Sequence, residues 1–124
     1  MNRKKILVID DEDIVRTSCN RTLSPGGFEV GLAINGQEGL KMLGKENFDL
    51  VLTDLKMPDM DGIEVLRQIK QNWPEVEVIV ITGYQTVDTA VKAIKLGAFD
   101  YIEKPFTPDA LISAVSKALA PKNK

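Results

Sequence analysis

Histidine is missing from this sequence altogether, and cysteine occurs once, at Cys19. Without histidine there is no imidazole general base, no Ser-His-Asp triad and no histidine metal ligand. Any chemistry must therefore run on carboxylates, hydroxyls and lysines. A single cysteine cannot close an internal disulfide, which suits a reducing compartment. There is no long Lys/Arg run, and the net charge of −2 provides no dense cationic surface for non-specific nucleic-acid binding. Direct contact with DNA or RNA is not expected. The longest apolar stretch, near Val76 to Ile81, falls far short of a membrane span, and the N-terminus lacks the apolar region of a signal peptide. The expected location is the cytoplasm, away from the membrane.

What is present is ordinary for a globular domain. The 124 residues are 44% hydrophobic and 27% charged, too apolar for a disordered segment. A chain of this size buries roughly two-thirds of the surface it exposes when unfolded, so residues 1–124 are expected to form one domain. Five short apolar or β-branched runs alternate with five stretches of helical period, which predicts βαβ units and a parallel sheet. The predicted strands are Lys5 to Ile9, Glu29 to Ala33, Leu50 to Thr53, Glu77 to Ile81 and Tyr101 to Ile102. The first, third and fourth are nearly continuous hydrophobic runs and are expected to be buried on both faces.

Helix starts are marked by the spacing of Asn35 with Glu38 and of Asp61 with Glu64, and by Thr107 followed by Pro108. Val15, Cys19 and Leu23 form one stripe on the first helix, so Cys19 is read as a core filler. The fourth helix is expected to turn Val87, Ala90, Val91 and Ile94 inward and to stop near Gly97, and the fifth to turn Leu111, Ala114, Val115 and Ala118 inward. Right-handed crossovers then give a doubly wound (βα)5 three-layer sandwich, flavodoxin-like, with parallel strand order 2-1-3-4-5. Ligands of such folds bind beyond the carboxyl ends of the strands.

At that edge the sequence places Asp10 and Asp11 after the first strand, Asp54 after the third, Thr82 after the fourth and Lys104 after the fifth. Hydrophobic patterning does not require this set. Two carboxylates about 5 Å apart repel by roughly 3 kcal/mol at an effective dielectric near 20, so a proton, a lysine or a cation must answer the cluster. An all-oxygen site with few protein ligands suits Mg²⁺ better than Ca²⁺. Helix capping explains Asp13 as readily as function does, but not the acids, hydroxyl and lysine together. Asp59 and Asp61 are read as turn and cap residues.

The segments Leu7-Val8-Ile9-Asp10-Asp11-Glu12, Thr53-Asp54-Leu55-Lys56-Met57-Pro58-Asp59-Met60-Asp61-Gly62, Ile81-Thr82-Gly83 and Tyr101-Ile102-Glu103-Lys104-Pro105-Phe106 resemble the receiver domain of two-component response regulators, in order and at receiver spacing. The stretch from Thr82 to Phe106 is similar to receivers of nitrogen-regulation-type, sigma-54-dependent transcription activators. Proteins of that type usually continue into an ATPase module and a helix-turn-helix, whereas this sequence stops at Lys124.

The resemblance implies a signalling switch rather than an enzyme. Asp54 would accept a phosphoryl group from a sensor histidine kinase or histidine phosphotransfer protein. Asp11 and Asp54 would bind Mg²⁺, with Asp10 acting directly or through water and Lys56 lending its backbone carbonyl. Lys104 would offset phosphoryl charge, its bond to Pro105 being cis in the family. Thr82 would be the switch hydroxyl and Tyr101 the aromatic that follows it. Together they would alter the face made by the fourth helix, fifth strand and fifth helix, a surface that could also support a homodimer.

Lys56 and Tyr84 occupy the family's positions for tuning phosphate lifetime. If bulky Tyr84 shields the acyl phosphate from water, Tyr84→Ala shortens that lifetime in a phosphate-release assay, and an equal or longer lifetime rejects the shielding.

Other readings compete. Asp11-Glu12-Asp13-Ile14-Val15 fits the signature of haloacid-dehalogenase-like phosphatases, with Asp11 as nucleophile. Such enzymes normally need more chain and a further acidic motif where this sequence has Ile81-Thr82-Gly83. A flavin-phosphate module would want hydroxyl and glycine donors in the first loop, where Asp11-Glu12-Asp13 repels phosphate. A degenerate receiver that signals without phosphate would lack the acceptor or the lysine, and both are present.

Overall fold

In the computed structural model, which describes residues 3–83 and 87–121, strands and helices alternate along the described residues. They are β1 (Lys5–Ile9), α1 (Asp13–Leu23), β2 (Glu29–Ala33), α2 (Gly36–Lys45), β3 (Leu50–Thr53), α3 (Gly62–Asn72), β4 (Glu77–Thr82), α4 (Val87–Lys95), β5 (Asp100–Glu103) and α5 (Pro108–Leu119). All strand pairs are parallel, in the order β2-β1-β3-β4-β5 expected from the sequence. The predicted strand bounds hold for the first three and fall short by a residue at the end of β4 and at each end of β5.

Because successive side chains on a strand point to opposite faces, β1 divides its residues between two cores. Leu7 and Ile9 join Val51, Val78 and Val80 under α2, α3 and α4, together with Val65, Leu66 and Ile69. Ile6 and Val8 join Leu50, Leu52, Ile79 and Ile81 under α1 and α5, with Cys19, Leu23, Leu111 and Val115. This explains why the central strands read as unbroken apolar runs. Burial holds the Cys19 thiol high, pushed up to about 12, which suits a core filler and not a nucleophile.

Helix ends follow the local signals. Asn35 accepts a hydrogen bond from Glu38 N at 2.8 Å, and the Glu38 carboxylate reaches back to Ile34 N at 2.8 Å. Asp61 caps α3 through Ile63 N, and Thr107 caps α5 through Ala110 N with Pro108 in the first turn. The expected inward face of α4 is rotated. Among its described side chains Ala93 is fully buried, whereas Val91 and Ile94 are nearly half exposed. The Val87 side chain lies outside the described residues. No residue of the marginal strand β5 is itself buried, so the sheet covers only a narrow side of α4 and leaves part of its apolar surface in solvent.

Candidate functional site

The backbone ladder runs one residue past several strands, and this fixes the site. Asp10 N donates to Ala33 O at 3.1 Å, Asp54 N to Ile9 O at 3.1 Å, and Lys104 N to Thr82 O at 2.9 Å. Three functional candidates are thereby pinned at neighbouring strand ends before any side chain is considered. The Lys104–Pro105 bond is cis, as the resemblance implied.

Lys104 Nζ is the hub. It donates to Asp54 Oδ2 at 2.9 Å and to Glu12 Oε1 at 2.8 Å, and it lies 2.8 Å from Asp10 Oδ2. This last approach is an ion pair whose angle is poor for a hydrogen bond, so the buried Asp10 Oδ2 has the Lys104 charge beside it but no well-directed donor. The other Asp10 oxygen accepts from Glu12 N at 2.8 Å, and Asp54 Oδ1 accepts from Lys56 N at 3.2 Å. Asp10 is fully buried, Asp54 is 5% exposed and Thr82 is 1% exposed. Asp11, Asp54, Lys56, Thr82 and Lys104 all line one open cavity of about 620 Å³. Tyr101 does not line this cavity; it is half-buried on β5 and packed against the core under α2, α3 and α4. Tyr84 lies outside the described residues.

Charge and burial pull against each other here. Burial raises the Asp10 carboxyl above the usual carboxylate range, although Lys104 and the Glu12 amide draw it back. Burial alone would lower the Lys104 ammonium, but its bonds to Asp10, Glu12 and Asp54 outweigh that and hold it above an ordinary lysine. Burial likewise raises the Tyr101 phenol, helped by the charges of Glu103 and Asp54. When ionised, three carboxylates around one ammonium leave two negative charges unanswered.

One carboxylate oxygen from each of Asp10, Glu12 and Asp54 lies within 4.8 Å of the other two. An all-oxygen donor set, an excess of acids over the one lysine and a buried Asp10 oxygen with no well-directed donor together fit a hard divalent cation. Glu12, which the sequence reading quoted but gave no role, belongs to this group. Asp11, assigned there as a ligand, lines the cavity from its exposed rim.

Asp59 was also under-read. Its oxygens accept from Gly36 N at 3.2 Å and Gln37 N at 2.9 Å, so this residue of the loop between β3 and α3 caps α2. Only proximity in space reveals that bond. Gly62, by contrast, explains itself: a Cβ there would stand 2.2 Å from Asp54 O and 2.5 Å from Leu55 Cα, both backbone atoms that cannot easily yield. Gly62→Ala is expected to cost about 1–3 kcal/mol in urea unfolding and to displace the Asp54 main chain. Unaltered stability would show that the loop yields freely.

Comparison with known proteins agrees with this fold. Residues 6–116 match the family model described as response regulator receiver domain. The chain is 45% identical over 115 residues to the transcriptional regulatory protein ZraR of Klebsiella oxytoca, covering 93% of this chain and 26% of that protein. It is 38% identical over 120 residues to the DNA-binding transcriptional regulator NtrC of Escherichia coli K12, covering 97% and 26%. The chain thus spans about a quarter of the length of these relatives. Among solved structures, the beryllofluoride-activated NtrC4 receiver domain dimer superposes with a TM-score of 0.88 at 38% identity, covering 92% of this chain and 94% of that one. Nothing in the match supports the phosphatase reading with Asp11 as nucleophile. The chain belongs to the response regulator receiver domains of two-component signalling, among relatives that are nitrogen-regulation-type transcriptional activators.

Proposed function

We propose that Asp54 is the phosphoacceptor and that phosphorylation there switches the surface formed by α4, β5 and α5. The observation that carries the reading is the hydrogen bond from Lys104 Nζ to Asp54 Oδ2, made by an ammonium that also pairs with the buried Asp10 carboxylate. An Asp54 carboxylate oxygen attacks the phosphorus of a partner's phosphohistidine, the P–N bond breaks, and the imidazole leaves with its electron pair.

Lys104 holds the carboxylate in place and afterwards offsets charge on the phosphoryl oxygens. Asp10, Glu12 and Asp54 would hold Mg²⁺, with Asp11 and the Lys56 carbonyl as further candidates at the same cavity. Bound there, Mg²⁺ would supply charge neutralisation to the phosphoryl oxygens. The same arrangement, with water in place of imidazole, would support slow autodephosphorylation, tuned by Lys56 and Tyr84.

In this reading Thr82 gives its hydroxyl to the phosphate and Tyr101 follows it. Converting an equilibrium of 1:99 to 99:1 requires about 5.5 kcal/mol of preference, within reach of a few charged hydrogen bonds. Exposed Val91, Ile94 and Phe99 supply apolar surface around α4 and β5, and the NtrC4 receiver is described as a dimer when activated. The output is therefore read as homodimerisation or contact with an effector module, within a cytoplasmic transcription regulator fed by a sensor histidine kinase or phosphotransfer protein.

Incubation with a small phosphodonor and Mg²⁺ should add the mass of one phosphoryl group, and chelation of the metal should prevent it. No mass gain with any phosphodonor or phosphohistidine partner would reject the reading.

A further inference from the structure

We propose that Asp59 is a positioning residue for the cation site, acting through the loop that follows Asp54 and not by touching an ion. The inference rests on the reading of that site as a Mg²⁺ site. Gly62 N donates to Leu55 O at 2.9 Å and closes the base of the loop, and Lys56 N donates to Asp54 Oδ1 at 3.2 Å. Its tip is held by Asp59, whose two oxygens engage two successive N–H groups of α2. A carboxylate at a helix N-terminus is stabilised by both the hydrogen bonds and the helix dipole.

Packing reinforces the clamp. Met60 lies so close to Gly36 that a Cβ there would come within 2.7 Å of Met60 Cγ. The helix that receives the clamp is itself fixed beside the site, because a Cβ at Gly39 would come 2.3 Å from Ile9 Cδ1, and Ile9 directly precedes Asp10. Asp59 therefore ties the loop carrying Lys56 to a helix seated against the strand that carries Asp10. The two halves of the site are held in register through a bond outside it. Mg²⁺ demands near-ideal ligand geometry, and supporting hydrogen bonds around a metal site commonly change affinity by about 10–100-fold.

α2 can keep a cap without Asp59, because Asn35 accepts from Glu38 N at 2.8 Å. This separates the two roles. Mg²⁺ titration followed by amide NMR, with amide exchange at Lys56 and thermal melting, should be run on wild type, Asp59→Ala, Asp59→Asn and Asn35→Ala. Asp59→Ala should weaken Mg²⁺ binding about tenfold and speed exchange at Lys56. Asn35→Ala should lower the melting point while leaving Mg²⁺ affinity within roughly twofold. Should Asp59→Ala fail to fold, Asp59→Asn decides, since it retains one acceptor oxygen. Wild-type Mg²⁺ affinity in the Asp59 variants, or an equal loss in Asn35→Ala, overturns the clamp alone. Absence of Mg²⁺ binding in the wild type overturns the clamp and the site reading together.

Discussion

Asp54→Asn should abolish phosphorylation by small phosphodonors and by a phosphohistidine partner, while leaving the domain folded. The amide that replaces the carboxylate is no nucleophile, so the acyl phosphate cannot form. The fold should tolerate the change, because Lys104 keeps its approaches to Asp10 and Glu12 at 2.8 Å each. Loss of one charged hydrogen bond costs about 1.5–3 kcal/mol, and relief of carboxylate repulsion returns roughly 3 kcal/mol per pair at 5 Å. Stability should therefore move little, or rise. Asp11→Asn should behave differently, still accepting phosphate at Asp54 but requiring more Mg²⁺. Intact mass and chemical denaturation on both variants decide the matter. A phosphoryl mass gain that survived in Asp54→Asn and vanished in Asp11→Asn would falsify the assignment of the acceptor.

Lys104→Met is expected to destabilise the protein in a way that depends on both pH and metal. The substitution strips the shared ammonium from Asp10, Glu12 and Asp54. Breaking a buried ion pair costs about 3–5 kcal/mol. Here about 2–4 kcal/mol is expected near pH 7, because Glu12 is half exposed and water reaches the cavity.

In the wild type the Lys104 pKa is raised above its ordinary 10.5, so its contribution is complete below that pH and disappears as pH climbs through the folded value. The Asp10 pKa is already raised by burial from 3.8, and loss of Lys104 raises it further. The folded variant then takes up a proton on acidification before the unfolded chain does, recovering stability until pH reaches the unfolded value. The deficit should thus be greatest between neutrality and about pH 10 and shrink on either side. Mg²⁺ should restore part of it, a ligand at a hundred times its dissociation constant adding about 2.7 kcal/mol. Urea unfolding across this pH range, with and without Mg²⁺, tests the idea, and a deficit constant in pH and indifferent to Mg²⁺ would reject it.

Much of the architecture and part of the site could be read from residues alone, for reasons of range. Strand runs such as Leu50–Thr53 and caps such as Asn35 and Thr107 depend on neighbours within a few residues. The convergence of Asp10, Asp54, Thr82 and Lys104 followed from placing each at a strand's carboxyl end in a parallel sheet. What escaped was angular or distant. Alternation decides that Asp10 is buried while Asp11 sits on the rim, and past the strand's end the chain brings Glu12 round to Lys104. The turn there is not written in the local pattern. The α4 stripe was apolar over a wider arc than the marginal strand could cover, so tertiary packing chose Ala93 for the interior and left Val91 and Ile94 outside. Asp59 reaches α2 across 23 residues to Gly36, beyond any short-range signal. Sequence by itself determined which elements form and which chemistry gathers at their ends. Tertiary structure decided which side chains meet, because a hydrogen bond depends on angle and position to within tenths of an ångström, and only the packed layers supply that.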